Sequence, residues 1–120
     1  MVRDVSPPEE LQQRRAALEA ELARFLDFLR THYVPQRVIL FGSLAEGRLH
    51  PDSDLDLVVG MPSSRPFLER FRPRVGMDLL VYTPEEFEEI RNRPFFREEV
   101  LAKGVVLYES PSGTLAPLRP

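Results

Sequence analysis

Asp54 and Asp56 stand two residues apart in the stretch FGSLAEGRLHPDSDLDLVV, residues 41–59. On an extended strand, residues two apart share a face, so both carboxylates point the same way with Cβ atoms about 6–7 Å apart. Leu55 and Leu57 then point into a core. Two acids so placed repel by roughly 2–3 kcal/mol at an effective dielectric near 20. A divalent cation removes that repulsion. Oxygen ligands of this kind suit Mg²⁺, which takes one or two carboxylates and fills its shell with water and phosphate oxygens. Asp78 is a third carboxylate, set inside the apolar run GMDLLVY. A charge buried there needs a partner or a metal. If its strand neighbours that of Asp54 and Asp56, the three acids share one face. A two-metal site with ions about 3.5–4 Å apart then becomes feasible.

Gly42–Ser43 closes the apolar run RVILF just upstream. Glycine lets the backbone approach an anion closely. A serine hydroxyl with nearby N–H groups can hold a phosphate. Cation ligands beside a phosphate cradle suit in-line phosphoryl or nucleotidyl transfer, in which positioning and charge neutralisation do most of the catalysis. Plainer readings stand beside this one. Ser43 and Glu46 spell a capping box, S-x-x-E. Asp78 could pair with an arginine. A calcium loop beginning at Asp52 is excluded, because Leu57 stands where glycine is needed and Ser63 where glutamate is needed. His32, at a helix end, and His50, in a turn, read as structural.

These side chains need elements to hold them. Leu11, Leu18, Leu22, Phe25, Leu26 and Leu29 form one apolar stripe, which predicts a helix from about Pro8 to Tyr33. Ser6 with Glu9 resembles a capping box, with Pro7 at the first helical position. The opposite face alternates signs, as in Glu10/Arg14, Arg15/Glu19 and Arg24/Asp27, and reads as solvated. Strands are expected at 37–41, 54–60, 75–82 and 105–108. A short helical turn is expected at 43–47, a loop with one short helix at 61–74, and helices at 83–91 and 95–103. Phe95 and Phe96 read as core. Residues 110–120 read as a disordered tail. The order α-β-α-β-β-α-α-β predicts an α+β fold, a small mixed sheet backed by helices, in one domain over residues 1–109.

Composition narrows the class. The 120 residues carry 16 Lys+Arg against 19 Asp+Glu, a net charge of −3, which argues against binding nucleic acid by charge alone. There is no cysteine, so disulfides and thiolate metal sites are excluded. No apolar run approaches a membrane span, and the N-terminus lacks a signal-like apolar core, so a cytoplasmic address is expected.

Gly42-Ser43, ten residues, then Asp54-Leu55-Asp56 resembles the GS-x10-DxD signature of the polymerase-β-like nucleotidyltransferase superfamily. The short length and the ending LAKGVVLYE resemble its minimal nucleotidyltransferase (MNT) branch. The likeness covers roughly residues 37–109. It implies that Asp54 and Asp56 ligate Mg²⁺, that Asp78 completes the metal site and helps deprotonate an acceptor hydroxyl, and that Gly42 and Ser43 hold the triphosphate of ATP. It also implies a HEPN-domain protein as partner, in a hetero-oligomeric toxin–antitoxin pair whose MNT member is the antitoxin and adds AMP to a partner hydroxyl. Many relatives carry a basic residue where this chain has Glu46. Arg48 is the residue that could compensate near the triphosphate. An antitoxin that neutralises its partner by binding, with weak or no catalysis, is the alternative. Transfer to a small molecule fits less well, since no second domain is seen to bind one.

Overall fold

The computed structural model describes residues 8–62 and 71–110. The expected capping box at Ser6, residues 63–70 of the loop with a short helix expected over 61–74, and the tail beyond 110 lie outside them. Helix α1 spans Pro8–His32, with Glu9 and Glu10 in its first turn and Arg30 and His32 in its last. Both ends complement the helix dipole. Strand β1 (Arg37–Phe41) leads into a single helical turn, α2 (Ser43–Glu46). Strands β2 (Leu55–Gly60) and β3 (Met77–Tyr82) follow. Helix α3 (Pro84–Ile90), helix α4 (Phe96–Leu101) and strand β4 (Val105–Glu109) complete the order.

The four strands form one mixed sheet in the order β3-β2-β1-β4. β1 runs antiparallel to both β2 and β4, while β2 and β3 are parallel. Strand alternation sends side chains to two cores. Val38, Leu40, Leu55, Leu57 and Val59 pack with Leu18, Phe25 and Leu29 of α1. Ile39 and Val58 face the other way and pack with Phe87 of α3 and Phe96 and Val100 of α4. Each fully buried Leu, Val or Phe contributes about 1.5–3 kcal/mol, so the sheet is held from both faces.

Local sequence explains most of the boundaries. Thr83 caps α3 with both halves of a capping box: its hydroxyl accepts from the Glu86 N–H, and the Glu86 carboxylate accepts from the Thr83 N–H. Several expectations are corrected. Ser43 is not a cap; Gly42 holds that position, and no side chain caps α2. The helix expected over 95–103 is a six-residue π-helix, closed by Ala102 N–H to the Arg97 carbonyl at 3.1 Å. Phe95 is 56% exposed while Phe96 is buried, because only Phe96 lies on the same side of α4 as Val100. Arg24 does not belong to a solvated face. It pairs with the buried Glu21 and lies 4.4 Å above the Phe71 ring.

Candidate active site

The end of β1 and the start of β2 build one corner of the sheet. Phe41 is paired with Asp56, so the chain turns away at Gly42, directly beside that carboxylate. Gly42 has φ +85°, a region that L side chains rarely adopt. A side chain there would also collide, since a Cβ on Gly42 would lie 2.1 Å from Asp56 Oδ2. Glycine is thus required twice over, by backbone conformation and by space.

Parallel pairing of β2 and β3 sets Asp78 level with Asp56, with Leu57 level with Leu79 beyond them. Asp54 lies one residue before β2, and its carboxylate sits against Gly76, where a Cβ would come within 2.3 Å of Asp54 Oδ1. Asp54 and Asp78 are exposed, and Asp56 is half-buried. Burial, then the negative charges of Asp78 and Asp54, push the Asp56 carboxyl up to about 6. Asp78 stands in the open on an edge strand, so the expectation that it is a charge buried in an apolar strand is corrected. Among the described residues it has no arginine partner.

The donor set is entirely hard oxygen, and among the described residues no cation pairs with it, which fits Mg²⁺. Among the described residues, however, no three acids or histidines are gathered closely enough to hold an ion by themselves. The fit is therefore to a cation that draws the rest of its shell from phosphate and water. Mg²⁺ binds in that way when a nucleotide is present.

The expected phosphate-holding residues are placed as follows. Ser43 donates its hydroxyl hydrogen to Ser53 Oγ at 2.9 Å, and Ser53 Oγ also accepts from the His50 N–H at 2.9 Å. Ser53 is buried and ties the 47–53 loop to α2. Sequence reasoning missed it, and the only available signal was a second serine immediately before Asp54. Arg48 is exposed and bonds Glu46 Oε1 through Nε at 3.1 Å. That pair holds the Glu46 carboxyl below the usual range. The charge of Lys103, beyond α4, acts in the same direction.

Residues 22–110 match the family described as Nucleotidyltransferase domain, and the chain belongs to that family. A proposed nucleotidyltransferase of Sulfolobus solfataricus, of known structure, has the same fold, with a TM-score of 0.58 at 14% identity over 88% of this chain and 93% of that one. No curated protein matches the chain. The α+β architecture expected from the sequence is the one found. Among the described residues, no helix is long and apolar enough to cross a membrane.

Proposed function

We propose that this protein transfers AMP from ATP to a hydroxyl on a partner protein, as a minimal nucleotidyltransferase does. The observation that carries the reading is the corner itself. Asp56 and Asp78 stand level on paired strands, Asp54 lies just before them, and the Gly42 bend closes against Asp56. Asp54 and Asp56 would hold Mg²⁺, which when bound neutralises charge on the phosphates. Gly42 gives the triphosphate access to the backbone, and Ser43 exchanges its Ser53 partner for a phosphate oxygen. Asp78 takes the proton of the acceptor hydroxyl. The hydroxyl oxygen then attacks the α-phosphorus, the bond from that phosphorus to the bridging oxygen breaks, and pyrophosphate leaves. Exposure of Asp54 and Asp78 at a sheet corner leaves room for a macromolecular acceptor, for which a HEPN-domain protein acting as a toxin is the candidate. The chain would then be the antitoxin.

One observation favours a second reading, neutralisation by binding alone. Arg48 is already engaged by Glu46, a carboxylate set where phosphate charge would arrive. A single experiment separates the two. With a cognate partner and α-labelled ATP, wild type should label the partner, and Asp54→Ala or Asp56→Ala should lower the rate at least about 100-fold. Labelling by either variant at the wild-type rate would sink the catalytic mechanism. Full toxin neutralisation by an unlabelled variant would favour the binding reading.

A further inference from the structure

We infer that Gly76 is a positioning residue for Asp54: the space left by its missing side chain is where the Asp54 carboxylate sits. This rests on the reading of the acids as a cation and nucleotide site. The β2–β3 register aligns Leu55 with Met77, which sets Gly76 beside Asp54. A Cβ built on Gly76 would lie 2.3 Å from Asp54 Oδ1, 2.6 Å from Cγ and 2.9 Å from Oδ2. All three are closer than non-bonded atoms tolerate.

The backbone around Gly76 is tied at three points, which oppose its retreat. The Gly76 carbonyl accepts from the Leu55 N–H at 3.0 Å. The Arg74 N–H donates to Glu21 Oε2 at 2.6 Å. Arg24 Nη2 donates to the Arg72 carbonyl at 2.6 Å, while the same guanidinium grips Glu21 in two bonds of 2.9 and 2.8 Å. Glu21 is 3% exposed on the inner face of α1. The Asp54 carboxylate, by contrast, is the exposed end of a rotatable side chain outside the strand. A methyl group at position 76 therefore displaces the carboxylate and leaves the fold in place. Gly42 offers no such clean substitution, because its positive φ makes any side chain strain the backbone. Gly76 is not among the glycines with positive φ, so alanine fits its conformation.

The test uses Gly76→Ala, Asp54→Ala and the double variant, read by melting temperature against Mg²⁺ concentration and by a crystal structure of Gly76→Ala. The expected result is a near wild-type melting temperature without cation and a Mg²⁺ midpoint raised about 10–100-fold. The crystal structure should show Asp54 swung to another rotamer. Gly76→Ala should add nothing in the Asp54→Ala background. If Gly76→Ala is instead unstable, removing the Asp54 carboxylate should restore it. An unchanged Asp54 position, a wild-type Mg²⁺ midpoint, an equal cost in the Asp54→Ala background, or a double variant as unstable as Gly76→Ala would each overturn the inference. A wild type that ignores Mg²⁺ would overturn the metal reading, and the Asp54 position in Gly76→Ala would still decide this one.

Discussion

Among the described residues, Asp56 is the carboxylate most perturbed by its surroundings. Its carboxyl is pushed up to about 6 by burial and by two neighbouring acids, so ionising it costs the folded state more than the unfolded one. The sign follows directly. Without cation, its contribution to stability is intact at low pH and is lost as pH rises from the ordinary carboxylate range, about 4, through 6. Asp56→Asn should accordingly stabilise the cation-free protein at pH 7–8 by about 1–2 kcal/mol, once partial exposure is allowed for. The gain should vanish near pH 4. Urea titrations at the two pH values check this, and an equal gain at both would refute the assignment. The same residue that weakens the free protein is the one a cation would relieve.

At the scale of elements, the Glu21–Arg24 pair joins α1 to the segment entering β3. The Arg24 hydrogen bond, then the Arg74 N–H, hold the Glu21 carboxyl below its ordinary range despite burial. A carboxyl so lowered adds stability above the ordinary carboxylate range and loses it as pH falls through the lowered value. Glu21→Gln should cost about 1–3 kcal/mol at pH 7, and the difference should shrink below about pH 4. Chemical denaturation measures both. The loss should also loosen residues 72–76, detected as faster amide exchange at Arg74. On the other face, Glu99 of α4 pairs with Lys103 at 3.4 Å, and the charges of these two act on Arg48 and Glu46 respectively.

At the scale of the whole molecule, a cation site at the sheet corner, as proposed, would make stability depend on cation. Mg²⁺ bound by the folded state alone should raise stability by about 2.7 kcal/mol at one hundred times its dissociation constant. Thermal unfolding with and without Mg²⁺ measures it. A shift no larger in wild type than in the Asp54→Ala/Asp56→Ala variant would argue against a carboxylate cation site. β4 forms one edge of the sheet and shows Val105 at 44% and Val106 at 49% exposure, while β3 and its Asp78 form the other edge. Among the described residues, no strand pairs with β3 on its outer side.

Much of this was legible in one dimension because strand alternation and helix periodicity are local. Leu55 and Leu57 against Asp54 and Asp56, the Leu18–Phe25–Leu29 stripe, and the Thr83–Glu86 box each lie within a few residues, and their geometry follows from backbone repeat alone. The spacing from Gly42–Ser43 to Asp54–Asp56 likewise carried the resemblance to the nucleotidyltransferase signature. Register was not legible. That Asp78 stands level with Asp56, that Gly76 yields its space to Asp54, and that Ser43 spends its hydroxyl on Ser53 all depend on hydrogen bonds between separate segments. Glu21 carries no signal of its own in the sequence, and it is a buried anchor only because the 71–76 segment folds onto it. Local sequence determines which way a side chain points along its own element. Only packing between elements decides what it meets there, because a slip of one residue in β2–β3 pairing would turn Asp78 to the opposite face.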